Sequence, residues 1–311
     1  MDRPNSGISV VVPTLNRGPF LIDTLHDLLA QQHRPLEILI VDQSSEENMA
    51  LLALVLKHRD LLSYQRVSFR GLPLARNYGW QNAKYDAIIF VDDDIRCGPG
   101  LVSEHLRMLR KPNCGMVAGG VEEHNCAKTQ SKKPGHFNFW TANPIRNFAA
   151  QEECLTDHVA GCNFSVWRSV LEAAGGFDEA LACGAALYEE TEFCLRVRRL
   201  GFDIHFNGNA RLDHLVAGSG GCRVLQIPRY VRSLGHNRAM VIKRHLRWFQ
   251  APTAWARLVL LLMSYAVRYR DGRALGEGLC GVLEGMAAAK RPPLCGRYKA
   301  ESALQESPAF L

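Results

Sequence analysis

The chain has 311 residues, 47% of them hydrophobic and 22% charged. That is the balance of a globular protein with ample length for a large core, and it excludes fibrous and disordered classes. The formal net charge of +6 is unevenly spread: residues 1–210 hold 21 Lys/Arg against 25 Asp/Glu, and residues 211–299 hold 16 against 4, a net of +12. A near-neutral part joined to a strongly basic one points to an anionic partner, membrane lipid or nucleic acid.

The N-terminus, MDRPNSGISVVVP, lacks the basic start and long apolar stretch of a secretory signal. The longest uncharged apolar run near the C-terminus, 258–267, has 10 residues, against the ~20 that span a bilayer. A cytoplasmic protein is therefore expected. Ten cysteines are scattered without a CxxC pair, which removes support for a zinc ribbon or a thioredoxin-like motif. Reduced thiols are expected, some of them, such as Cys194, serving as small core residues.

In chain order, ISVVVP (8–13) reads as a buried strand and 19–32 as a helix with apolar spacing. LEILIVD (36–42) is the next strand, followed by a helix over 47–59, an edge strand over 62–69 and a helix over 72–83. DAIIFVD (86–92) is again a buried strand, then come a helix over 100–111 and a strand near 115–121. Residues 122–150 are polar with no clear period, a length that points to a functional or mobile loop. Residues 161–181 read as a strand, a short helix and a Gly-Gly turn, and 188–201 as a helix closed by Gly201. Two short strands are expected at 202–207 and 210–215. Beyond Arg223 the chain becomes helical, basic and aromatic, fraying after Pro308.

Near-continuous apolar strands alternating with helices imply an α/β fold, a mostly parallel sheet covered on both faces. Ligands of such sheets bind beyond the carboxyl ends of the strands. Thr14 and Asn16, Asp42, and the consecutive Asp92, Asp93 and Asp94 all fall at those ends. Three adjacent ionised carboxylates repel one another and lose hydration when sheltered, a cost that a hard divalent cation offsets. Taken alone, three acids would read as a solvated loop; the convergence of strand ends favours a site.

The ordered set ISVVVPTLNR, LEILIVDQSS, LPLARNYG, FVDDDIRCGPG, GCNFSVWR, GGFDE, EETEFCLRVRRLG and DHL resembles family 2 glycosyltransferases of the GT-A fold over roughly residues 7–215. Two details depart from the usual pattern: Asp42 is followed by Gln43-Ser44-Ser45, and the later acidic pair is Glu189-Glu190. The resemblance implies a Rossmann-like GT-A domain over 1–222, with a helical basic region, 223–311, that meets a membrane or the acceptor. It also implies inverting transfer of a hexosyl or deoxyhexosyl group from a nucleotide-diphosphate donor, a UDP- or dTDP-sugar, to a glycan or lipid-linked acceptor. Polysaccharide or glycolipid synthesis is the expected setting, with the protein peripheral on the cytoplasmic membrane face.

A divalent cation, Mn or Mg, is implied at the Asp-x-Asp motif, with Asp94 as direct ligand and Asp92 nearer the ribose or a water of the metal shell. His214 resembles the late histidine that many members offer to the cation. Asp93 faces the other side of an extended chain, either structural or toward the donor. Asp42 resembles the aspartate that binds base or ribose, its alternative being a helix N-cap that Ser44 or Ser45 could equally supply. Thr14 resembles the residue beside the nucleobase, or else it closes a turn. Asn16 accompanies it, and Arg76 resembles a donor-contacting arginine, against a surface ion pair.

Glu190 shares a helical face with Phe193, Cys194 and Val197, which makes it an inward acid suited to general-base work. Glu189 is the close competitor. Glu192, Arg196 and Arg199 read as a solvated ion-pair stripe. The segment 255–270 has an apolar centre with arginines and aromatics at its ends, and reads either as an interfacial helix on an anionic membrane or as a core or dimer helix. A nucleic-acid partner is not expected. The other functional readings are a metal-dependent nucleotidyltransferase or phosphohydrolase, and a non-catalytic sugar-nucleotide-binding protein.

Overall fold

Strand β1 (Ile8–Thr14) is buried along its whole length, as its run of β-branched residues requires. The structure, a computed structural model, describes residues 7–123, 133–218, 220–221 and 224–299. The expected boundary at 222/223, Cys126, Cys222 and the end beyond Pro308 lie outside the described residues. The eight cysteines within them are free.

β1 pairs in parallel with β2 (Leu36–Asp42) and β4 (Ala87–Val91), and β2 with the edge strand β3 (Leu62–Arg66). Helices α1 (Gly18–Leu29), α2 (Met49–Lys57) and α3 (Leu72–Asn82) make the connections. After the aspartates come β5 (Ile95–Cys97), α4 (Leu101–Leu109) and β6 (Cys114–Glu123). The sheet continues through β10 (Asn163–Trp167), antiparallel between β4 and β6, to β11 (Asp203–His214), parallel to β6. The order β3-β2-β1-β4-β10-β6-β11-β5 reverses direction at β1, and β1 and β4 therefore open the crevice where such sheets bind ligands.

Three expectations are corrected. Within 122–150, of which 124–132 lie outside the described residues, regular structure is present: β6 runs on to Glu123, and a small hairpin forms from β7 (His136–Asn138) and β8 (Asn143–Ile145). Another short strand, β9 (Glu153–Leu155), pairs with β11. The two strands expected at 202–215 are one strand with a register shift between Asn207 and Arg211. There the Asn207 side chain accepts the Asn209 N–H at 3.0 Å, which satisfies the backbone that the bulge unpairs.

The third correction concerns α6 (Glu189–Arg199), which follows α5 (Arg168–Ala174) and ends before Gly201 in the left-handed region, φ 89°. Glu192 is fully buried, not solvated. Its carboxylate pairs with Arg196 at 2.8 Å, His245 at 3.1 Å and Arg244 at 3.3 Å, and Arg244 also pairs with buried Asp178. The stripe reading failed because α7 (Ile227–His245) covers that face, which helical spacing within α6 cannot reveal.

Burial by itself would lift the Glu192 carboxyl, but Arg196 and His245 hold it down at about 2, against an ordinary 4.5. Because the folded value is depressed, the stability it contributes is present above about pH 5 and is lost as pH falls toward about 2. Glu192→Gln is therefore expected to destabilise by about 3–5 kcal/mol at neutral pH, because it leaves buried cations uncompensated. Urea melts should show the gap from wild type narrowing as pH falls to about 3; a gap independent of pH would refute the assignment.

Helices α7, α8 (Ala251–Arg268) and α9 (Gly272–Ala288) form a second apolar cluster around Val231, Leu234, Leu258 and Leu262, joined by Phe137 of the hairpin. α7 and α9 approach at backbone contact: a Cβ on Gly281 or Gly285 would lie 2.1 Å from the carbonyl of Arg232 or His236. No helix among the described residues is long and apolar enough to cross a membrane.

Candidate active site

The β1, β2 and β4 ends hold Thr14, Asp42 and the three aspartates, because each apolar strand places its first polar residue where the sheet's cover ends. Asp94 is fully buried. Its Oδ2 accepts the Ala217 N–H at 2.8 Å and pairs with Arg17 at 2.8 Å, whereas its Oδ1 is buried without a hydrogen bond. Nε2 of His214 lies 3.3 Å from that Oδ1 and 3.6 Å from Asp92 Oδ2.

Ligand atoms of Asp92, Asp94 and His214 all lie within 4.8 Å of one another. Two carboxylates and an imidazole form a donor set for a Mn- or Mg-like cation, and the buried Asp94 Oδ1, which meets His214 Nε2 only as an ion pair at 3.3 Å, keeps lone pairs for such an ion. The residues fit the cation. Behind His214, Nδ1 lies 3.2 Å from Glu123 Oε1, the kind of outer contact that fixes a ligating imidazole. Burial would lower the His214 pKa, but the facing groups of Asp94, Cys162 and Glu123 more than reverse this and keep it far above the usual range. A proton and a cation thus compete for the same nitrogen.

Asp93 stays out of this group. It accepts from Thr14 Oγ1 at 2.7 Å and from Arg17 at 3.0 Å, tying the β4 end to the β1 end. Burial pushes its carboxyl up to about 6, with Thr14 and Arg17 pulling it down. Thr14 is buried with its hydroxyl committed to Asp93, and Asn16 is exposed with its N–H on Ser44 Oγ at 2.8 Å.

A cleft of about 610 Å³ lined by Thr14, Asn16, Arg17, Asp42 and Ser44 adjoins a smaller one of about 210 Å³ lined by Asp92, Asp93, Asp94 and His214. At the base of the larger, Asp42 is oriented by Tyr64 OH at 3.0 Å and the Ser44 N–H at 2.8 Å. The helix cap is neither Asp42, Ser44 nor Ser45: Asn48 caps α2.

Arg76 is 1% exposed. It ion-pairs with Glu189, donates to Gly161 O at 2.8 Å and lies over the rings of Phe164 and Phe177. Its surface ion-pair alternative is thereby replaced by a buried one, and its charge is felt by Asp92. Glu189 is buried, and Glu190 is half-buried beside Gly161. Burial pushes the Glu189 carboxyl up to about 8, with Arg76 opposing and the adjacent Glu190 adding to the rise. Tyr188, which starts α6 with φ 65°, is backed by Arg238 of α7 at 3.2 Å.

Sequence reading missed Arg17, Glu123, Tyr64 and Arg238. Arg17 stands three residues past Thr14 and could have been found from the strand-end argument. Glu123 becomes visible only with the register that sets it opposite His214.

The family model for glycosyl transferase family 2 matches residues 9–175, just over half of the chain. Chondroitin synthase of Pasteurella multocida is 34% identical over 134 residues, which is 40% of this chain but 14% of that protein. The chain thus spans about one seventh of that relative's length. Glucosyl-dolichyl phosphate glucuronosyltransferase of Haloferax volcanii is 25% identical over 67% of this chain and 68% of that protein. Among solved structures, a mannosyltransferase from Pyrobaculum calidifontis in complex with GDP-Man and Mn2+ superposes with TM-score 0.58 at 18% identity, covering 90% of this chain and 75% of that one. GalNAc-T7 with UDP, GalNAc and Mn2+ also gives 0.58, at 17% identity over 85% and 55%. At such identities the likeness is one of fold, GT-A-like.

Proposed function

Because the chain belongs to glycosyl transferase family 2, we propose that it transfers a sugar, with inversion, from a nucleotide-diphosphate donor to a hydroxyl of a glycan or lipid-linked acceptor. The observation that carries this reading is the Asp92–Asp94–His214 group at the β1/β4 crevice, with the Asp94 carboxylate fully buried within it. The larger cleft suits the nucleoside, with Asp42 accepting from a base N–H or a ribose hydroxyl. A UDP- or dTDP-sugar matches an acceptor carboxylate there. Residues 1–222 act as the donor-binding and catalytic unit, and the basic helical residues 223–311 meet the acceptor or an anionic membrane.

Asp92, Asp94 and His214 would hold a divalent cation, which when bound would neutralise charge on the departing diphosphate. The chain's own contribution lies in orientation and proton transfer. Thr14, Arg17 and Asp93 lock the two strand ends, Glu123 orients His214, and Arg76 holds Glu189 next to Glu190. Glu190, the half-buried acid of the pair, takes the proton of the attacking hydroxyl. A nucleotidyltransferase with paired metals would need a second ligand group, and among the described residues Asp92–Asp94–His214 is the single such group.

A thermal-shift panel of nucleotide sugars with and without Mn tests this reading. A Mn-dependent rise of Tm is expected with a UDP- or dTDP-sugar, growing with ligand concentration as linkage requires. Equal shifts with and without Mn, or none with any nucleotide sugar, would overturn it.

A further inference from the structure

Helix α8 is apolar on two opposite faces. Ala254, Leu258 and Leu262 are buried, whereas Ala256, Leu260, Met263 and Val267 run along the other side in full view of solvent. Leu260 is 57% and Val267 77% exposed. The outward face of a helix on a water-facing surface is ordinarily charged, yet α8 contains no Asp or Glu.

α9 repeats the pattern. Opposite its buried Gly278, Gly281 and Gly285, the exposed positions Gly276, Cys280, Leu283 and Ala287 carry no charge. Of nineteen exposed large apolar side chains among the described residues, ten lie between Trp248 and Met286, so the apolar surface is concentrated on these helices rather than scattered.

We propose that the α8–α9 face docks on the surface of a bilayer containing anionic lipid, with α8 lying in the plane of the interface. This extends the reading above by naming the surface that meets the membrane; its purpose rests on a lipid-linked acceptor, but the binding itself does not depend on catalysis.

Aromatic and basic residues stand at both ends of α8, as on helices that lie in an interface. Trp248, Phe249 and Arg247 are at its start, and Tyr269, Arg268 and Arg270 are at its end. Arg257, Arg268 and Arg270 make no ion pair among the described residues, and anionic headgroups would complement them. In a two-fold dimer through this face the same arginines would confront their own copies.

The docking face also connects to the site. Trp140, at the hairpin tip, lies 5.9 Å from the Phe249 ring and accepts from Thr253 Oγ1 at 2.6 Å. The next residue, Thr141, is held by Arg238 at 2.6 Å, which in turn backs Tyr188 just before Glu189 and Glu190. An acceptor anchored in the bilayer would thus present its hydroxyl on the side of the acid pair.

Vesicle flotation of the full chain tests the proposal, with phosphatidylcholine vesicles containing or lacking phosphatidylglycerol. The wild type should bind the anionic vesicles, less so at high salt. Leu260→Glu/Met263→Glu should reduce partitioning by about tenfold or more, by placing two charges on the inserted face. Its Tm and its donor-induced shift should stay as in wild type, because both side chains are exposed. Arg257→Gln/Arg268→Gln/Arg270→Gln should lose the preference for anionic lipid.

Absence of wild-type binding to anionic vesicles, or wild-type partitioning by Leu260→Glu/Met263→Glu, would overturn the proposal. So would a wild-type dimer in sedimentation that this variant dissolves without any vesicle binding, which would make a second copy the occupant. A protein that floats but shows no donor-induced shift would sink the glycosyltransferase reading and leave the docking face standing.

Discussion

Asp94→Ala is expected to abolish Mn-dependent donor binding while leaving the fold in place. Asp94 contributes the fully buried carboxylate of the group and the one nearest His214 Nε2, at 3.3 Å, so its removal leaves Asp92 and His214 as a two-point site. Outer-shell changes alone typically cost about 10–100-fold in metal affinity, and loss of a direct ligand should exceed that. The fold survives because Arg17 keeps its bond to Asp93, and Thr14 still ties β1 to β4 through the same carboxylate.

Asp93→Ala should behave in the opposite way. It removes that tie and strips Arg17 and Thr14 of a buried acceptor, a cost of about 1–3 kcal/mol in stability, without removing a member of the cation group. Calorimetry and thermal melting separate the two. Unchanged Mn-donor affinity in folded Asp94→Ala would remove Asp94 as a ligand.

The β1, β2 and β4 strands were legible because each is a short apolar run ending in a polar residue, a pattern that also located Thr14, Asp42 and Asp92–Asp94. His214 rested on resemblance, and its outer partner Glu123 was invisible. Two residues 91 positions apart meet only through the pairing of β6 with β11, and no local period encodes that pairing. Glu192 was misread for a related reason. Helical spacing tells which side chains share a face, but not whether another helix covers that face, and Arg244 and His245 arrive from 52 and 53 residues downstream. Arg76 illustrates a third limit: a guanidinium suits a phosphate and a buried carboxylate equally well, and only its burial against Phe164 and Phe177 shows which one it meets in this structure.

The acid pair on α6 makes the remaining prediction. An acceptor hydroxyl must lose its proton as it attacks opposite the departing diphosphate, and a carboxylate within reach contributes about 10²–10⁴-fold. Glu190 is half-buried, whereas Glu189 is sealed in and committed to Arg76. Glu190→Gln should therefore keep donor and metal affinity and the wild-type Tm, but lose transfer by about 10²–10⁴-fold, because an amide keeps the shape and takes no proton. Glu189→Gln should chiefly show in Tm, because the amide contact with the buried Arg76 guanidinium cannot gain the charge that the carboxyl takes on as pH rises through about 8. The two variants thus separate by readout, one in rate at constant Tm and the other in Tm. If Glu190→Gln transferred sugar at the wild-type rate while Glu189→Gln melted normally and was inactive, the proton would pass to Glu189, and Arg76 would be the group that tunes it.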